Sequence, residues 1–332
     1  MKKITLVLLL VTIIFSCKKK EEEEITPEET TPVAPAEGFP DTVWNITGAG
    51  PHLIFKFKFD STQVRLDNFG NPSSIPSGHS AYSPKFNYMS SHYIELASTD
   101  FDSLGKGKVL YRAEEVTISG QNAIRFSKSV VVRENVVFYA VPLSQVTPGT
   151  YKWLRLSLAY QNYDIPYKAN ALPGNHIGNG TVASFVGFRN YVTKYMIGTH
   201  EIVPSSNVGG PSAIHPQGYW GFGTEIPGYG FWWADGQAPA GATTVVNPNF
   251  ANSPIPAGSC VVTAQFADMA GTNQVLTITG SETNDIVVTV SLSTNKSFEF
   301  TDPNGDGYYQ PENGNETPVD MGIRGMIPKV QY

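Results

Sequence analysis

The stretch LIFKFKFD, Leu53 to Asp60, alternates without a break: Phe55, Phe57 and Phe59 point one way, Lys56 and Lys58 the other. A period of two buries one face only in an extended chain, so this is a half-buried strand. Comparable runs follow along the chain: FNYMSSHYIELA, GKVLYRAEE, NAIRFSKSVVV, NVVFYAVPL, TYKWLRLSLAYQ and TVASFVGFRNYVTKYMI, then GYWGFGTE, GYGFWWADG, SCVVTAQF, QVLTITG and DIVVTVSLS. Turn residues cut them apart, and long 3.6-residue periodicity is missing. Short helical turns are expected at NPNFANS, where Asn can cap, and around VDMGIRG. With 31 Gly, 24 Pro and 12% aromatic residues, the expected class is all-β: an antiparallel β-sandwich with long Pro/Gly-rich loops. Residues 43–332 are expected to form one large domain, with two abutting β-subdomains as the alternative. Ala171 to Gly180 and Ile202 to Gly218 are expected as surface loops.

The N-terminus carries an address. MKK is a positive n-region, and the 12 apolar residues ITLVLLLVTIIF are too few for a comfortable membrane span. Ile14-Phe15-Ser16-Cys17 resembles a bacterial lipobox, so residues 1–16 are expected as a signal peptide and Cys17 as the lipidated residue. KKKEEEE after Cys17 resembles the signal that carries lipoproteins of Gram-negative bacteria to the outer face of the outer membrane. Residues 17–42 read as a solvated acidic and Pro-rich tether. The expected location is therefore the outer membrane, lipid-anchored and facing the cell surface. Cys260 is the only other cysteine. With Cys17 acylated no intrachain disulfide can form, and SCVVTAQF predicts a buried free thiol.

Several chemistries find no support. A net charge of −6 with no basic cluster in the folded part argues against nucleic acid as a partner. His200-Glu201 lacks the second His of a zinc-protease motif, and neither G-x-S-x-G nor C-x-x-C occurs. No enzyme is predicted, although paired acids such as Glu114 and Glu115 leave room for a glycosidase, whose two carboxyls need no local motif.

The strongest chemical signal is FEFTDPNGDGYYQPENGNETPVD. Asp302, Asn304, Asp306 and Gly307 match the start of a calcium loop, in which alternate residues aim oxygens at one centre. Tyr308 would add its backbone carbonyl and Gln310 its side chain. The twelfth position is Asn313, so the closing carboxylate must come from Glu312, Glu316 or Asp320. The flank SFEF is strand-like, which excludes a helix–loop–helix setting. The competing reading is plain turn chemistry, for which Asp, Pro, Asn and Gly are preferred anyway.

Trp220, Trp232 and Trp233 cluster with Tyr219 and Phe231, either as core or as a platform for glycan rings. Adjacent Trp232 and Trp233 must face opposite sides of a strand. The six histidines, His52, His79, His92, His176, His200 and His215, form no close metal-spaced pair. A copper site would have to join strands, and His52 with His92 is the candidate pair.

The order of these pieces resembles the MbnP-like family of secreted or lipid-anchored β-sandwich proteins. LIFKFKFD is similar to its opening strand, NYMSSHYIEL to its Y-x-S-x-x-x-L strand, and TPGTYKWLRLSLAY to its P-x-G-x-Y turn and strand. GYWGFGTEIPGYGFWW resembles its aromatic segment and DIVVTVSLS its late Val/Thr strand. The resemblance implies copper binding and a di-haem peroxidase-like partner. SCVVTAQF occupies the place of the family's His-Gly segment, so no copper ligands carry over by motif.

Overall fold

The computed structural model describes residues 39–40, 42–99, 102–170, 175–205, 213–239, 260–312 and 316–332. Cys17, the signal segment, the tether up to residue 38, NPNFANS and Asn313 lie outside the described residues, while Phe39 at the tether's end has Lys194 over its ring.

The described chain is all-β, with no α-helix and two single 3₁₀ turns at Phe126–Lys128 and Leu143–Gln145. The opening strand, His52–Asp60, sits in a four-stranded sheet ordered Met326–Gln331, Ile286–Ser293, His52–Asp60, Val137–Pro142. Its alternation is realised as expected: Phe55 and Phe57 are wholly buried and Lys58 is exposed. Phe57 stacks on Phe138 at 3.8 Å between centroids. One neighbour departs from the antiparallel expectation. Ile286–Ser293 runs parallel to the opening strand, Phe57 facing Val290. Parallel pairing needs a long crossover, and more than two hundred residues separate these strands in sequence.

The larger sheet is ordered Gly230–Gln237, Tyr219–Ile226, His176–Phe185, Trp153–Ala169, Lys85–Ala97, Lys108–Arg112. Val261–Gln265 and Val131–Val132 add to it from the sides, against Trp153–Ala169 and Lys85–Ala97 respectively. The pairing of Trp153–Ala169 with Lys85–Ala97 shifts register near Leu158 and again after Asn162. Each such bulge increases local twist, and the sheet curls into a half-barrel. The main core lies between the two sheets. Leu53, Phe55, Phe57, Val288 and Val290 from the smaller meet Ile94, Leu96, Leu154 and Leu156 from the larger. A second cluster gathers Tyr163, Tyr167, Phe222, Phe298, Phe300 and Tyr309.

Three expectations are corrected. The stretch 176–180, expected in a surface loop, belongs to the strand His176–Phe185. Its glycines are seats for rings and not turn residues. A Cβ on Gly178 would lie 2.9 Å from the Tyr167 ring, and one on Gly180 2.2 Å from the Phe222 ring. Likewise the strand Ile214–Pro216 interrupts the expected loop before Gly218. VDMGIRG holds no helical turn. Pro318–Asp320 is a strand, and Asp320 accepts from Gly322 N–H at 2.9 Å and from the Arg324 guanidinium. An Asp that bonds its own backbone two residues on offers a turn in place of a helix.

Cys260 is buried, and burial pushes its thiol up to about 11, although Ser157 Oγ lies 2.9 Å from Sγ. Thiolate is the reactive form. Alkylation of the native chain at pH 8, read peptide by peptide by mass spectrometry, is expected to spare Cys260 until denaturant is added. Rapid native labelling at Cys260 would contradict this.

Candidate metal site

The strand Phe298–Thr301 is the middle of a three-stranded sheet between His79–Tyr82 and Pro318–Asp320. The loop leaves it at Asp302, whose N–H is held by Gly78 O at 2.8 Å. From there the local sequence shapes the backbone. Asp302 Oδ1 accepts from Gly305 N–H at 2.9 Å, and its Oδ2 from Gly307 N–H at 3.0 Å. Asn304 Oδ1 accepts from Asp306 N–H, and Asp306 Oδ1 from Tyr308 N–H, both at 3.0 Å. Gly307 has φ +76°, a left-handed turn that a side chain would strain.

Tertiary partners then hold the loop. Ser80 Oγ donates to Asp302 Oδ2 at 2.6 Å. Tyr82 O–H donates to Gly307 O at 2.8 Å and accepts from Tyr309 N–H at 2.9 Å. Lys168 N–H donates to Tyr309 O at 2.9 Å, which joins the loop to the end of the long strand Trp153–Ala169. Lys168 Nζ lies 2.7 Å from Asp306 Oδ2, and Gln310 Nε2 donates to that same oxygen at 3.0 Å. Burial alone would raise the Asp306 carboxyl, but Lys168 and the loop amides hold it below the usual carboxylate range.

Among the three carboxylates offered for the closing position, the fold brings Glu316 to the loop. Its Oε2 accepts from Gln310 N–H at 2.7 Å and its Oε1 from Asn304 Nδ2 at 3.2 Å. Glu312 instead accepts from Asn170 N–H at 2.6 Å, and Asp320 pairs with Arg324. Glu316 is only 3% exposed. Burial, with Asp306, Asp302 and Glu312 nearby, raises its carboxyl to about 7 against the pull of the Gln310 N–H. As the side chains stand, no group of three His, Cys, Asp or Glu among the described residues is placed to hold a metal ion. The carboxylate oxygens are spent on loop amides and on Lys168.

The remaining candidates are dispersed. Trp220 and Trp232 lie partly buried beside the second core cluster, Trp232 against Phe222. Trp233, 36% exposed, projects from the other face of the edge strand Gly230–Gln237. The three do not form one platform. His52 belongs to the four-stranded sheet, with Nε2 3.1 Å from Thr47 O and Nδ1 3.9 Å from Asp285. His92 belongs to the larger sheet, with Nε2 2.8 Å from Glu115 Oε1. No contact among the described residues joins the two. Glu114 pairs with Arg125 while Glu115 serves His92, so these adjacent acids point to different partners.

Sequence reasoning did not foresee Lys168, Ser80 or Tyr82 at the loop, which lie far away along the chain. Comparison with protein-family models, curated proteins and solved structures found no match. The likeness to the MbnP-like family therefore rests on short strand motifs alone.

Proposed function

We propose that this chain is a lipid-anchored, surface-displayed β-sandwich protein with a binding or structural role, in which a calcium ion staples the segment from Asp302 to Glu316. The carrying observation is the burial of Glu316 against a loop that already has the turns of a calcium ligand set. Ca²⁺ takes several oxygen ligands from carboxylates, amides and backbone carbonyls. Asp302, Asn304, Asp306, the Tyr308 carbonyl, Gln310 and Glu316 supply that donor set. An ion held there would compete with Lys168 and Gln310 for Asp306 Oδ2. The ion would also neutralise a carboxylate that burial and neighbouring charge disfavour. Cys17 would hold the chain to the membrane, and residues 17–42 would hold the sandwich clear of it.

Calorimetry and thermal melting of the full chain with calcium test this. Binding is expected to be exothermic or entropy-driven with one site. The melt is expected to rise by about 5 °C when calcium stands a hundredfold above its dissociation constant. Asp302→Ala is expected to abolish both responses. Absence of heat and of a melting shift at millimolar calcium would overturn the staple.

A further inference from the structure

The strand Trp153–Ala169 has a second face that the core does not use up. Tyr163 and Tyr167 point into the second core cluster, while Asn162 and Asp164 alternate to the opposite side. In register, Asp164 faces Thr181, and Asn162 faces Ala183 on one neighbour and Tyr88 on the other. A cleft of about 500 Å³ opens over these residues. That is an ordinary volume for a small-ligand site.

Its floor is a linked row of polar groups. Asn87 Nδ2 donates to Asp164 Oδ1 at 2.9 Å and to Asn162 Oδ1 at 3.2 Å. Thr181 Oγ1 donates to Asp164 Oδ1 at 2.7 Å, and Asn162 Nδ2 donates to Tyr160 OH at 3.1 Å. These bonds fix the planes of the carboxylate and the amides. They leave Asp164 Oδ2 and Asn87 Oδ1 without a hydrogen bond among the described residues. Preorganised acceptors that need no reordering recognise a ligand at low entropic cost. The walls are apolar, from Met196 and from Phe39 and Pro40 of the N-terminal segment, with the buried Phe126 and Val131 behind them. At the rim, Arg133 lies over the Tyr88 ring at 4.7 Å and donates to its OH at 2.5 Å.

The chemistry narrows the ligand. One carboxylate and one guanidinium line the cleft, so an anion meets Asp164 and a cation meets Arg133. Open acceptors ask for hydroxyl donors, and the walls ask for C–H surface. A pyranose ring has both: hydroxyls around its edge and an apolar face that packs on aromatic side chains. We propose that this cleft binds a neutral saccharide, with Asp164 and Asn87 accepting from its hydroxyls, Arg133 donating to its oxygens, and the half-buried Tyr88 and Met196 meeting its C–H face. The site is separate from the exposed Trp233, and it shares no residue with the Asp302 to Glu316 loop.

The test uses the full chain in a polyoxyethylene detergent, which carries no sugar. Calorimetry and saturation-transfer NMR are run against maltose, cellobiose, lactose, chitobiose, xylobiose and mannobiose, with glycine and glutamate as charged controls. At least one disaccharide is expected to bind with Kd below about 1 mM. Asp164→Ala is expected to weaken it at least about tenfold, because a site built to pair with hydroxyls loses its acceptor. Arg133→Ala, at the exposed rim, weakens it as well and tests the site if Asp164→Ala does not fold. Trp233→Ala is expected to leave binding unchanged. The proposal is overturned if no disaccharide binds, if binding survives both cleft variants, if it depends on Trp233, or if glycine or glutamate binds in its place.

Discussion

Replacing Glu95 by Ala is expected to cost the fold about 3–5 kcal/mol, the range for removing one partner of a buried ion pair. Glu95 and Arg155 face each other across adjacent strands and are both wholly buried, with Nη1 3.5 Å from Oε2. The carboxylate also accepts from Tyr93 O–H at 2.9 Å, Gly107 N–H at 2.7 Å and Gly105 N–H at 3.1 Å. Its loss takes the carboxylate away from the buried Arg155 guanidinium and leaves the Gly105 and Gly107 amides and the Tyr93 hydroxyl without their acceptor. The loop after Lys85–Ala97 would lose its tie as well. Gly107 belongs to the same design, since a Cβ there would lie 2.3 Å from Leu96 O. The double change Glu95→Leu with Arg155→Met is expected to cost less than Glu95→Ala, because it deletes both charges together. Urea unfolding followed by tryptophan fluorescence measures both. A loss under about 1 kcal/mol for Glu95→Ala would show that solvent reaches the pair.

The second large effect links pH to the loop from Asp302 to Glu316. A carboxyl that titrates at about 7 in the folded chain and near 4.5 when unfolded binds its proton more tightly when folded. Its contribution to stability is whole below pH 4.5 and is lost as pH rises through 7. The expected fall in the metal-free chain is on the order of 3 kcal/mol. Calcium held as proposed is expected to reverse this, since it would bind the ionised form and compete with the proton. Glu316→Gln keeps the shape and the acceptor for Gln310 N–H but removes the charge. It is therefore expected to flatten the stability slope between pH 5 and 8 and to raise metal-free stability at pH 8. It is also expected to remove the calcium response. Melting curves across pH, with chelator and with calcium, read all three. An unchanged slope in Glu316→Gln would place the titration elsewhere, and an intact calcium response would remove Glu316 from the ligand set.

What the sequence by itself determined is local in physical origin. The two-residue period of LIFKFKFD makes a strand because only an extended chain buries every second side chain. Asp302, Asn304 and Asp306 shape their own loop through side-chain bonds that span at most five residues. The burial of Cys260 follows from its apolar run. Trp232 and Trp233 divide between two faces because adjacent residues of a strand always do. The expected anchor at Cys17 is likewise a reading of contiguous residues.

The tertiary structure decided whatever depends on the meeting of distant segments. Glu316 and not Glu312 reaches the loop because the chain returns to pair with Phe298–Thr301. Lys168 arrives through the bridge between Tyr167 and Tyr309. The glycines at 178 and 180 read locally as turn formers, yet they sit in a strand because rings from other strands fill their faces. The parallel neighbour of the opening strand, the Glu95–Arg155 pair and the Asn87–Asn162–Asp164 floor arise from register between strands. Register is set by which faces the whole core can bury together, and no local window of sequence contains that choice.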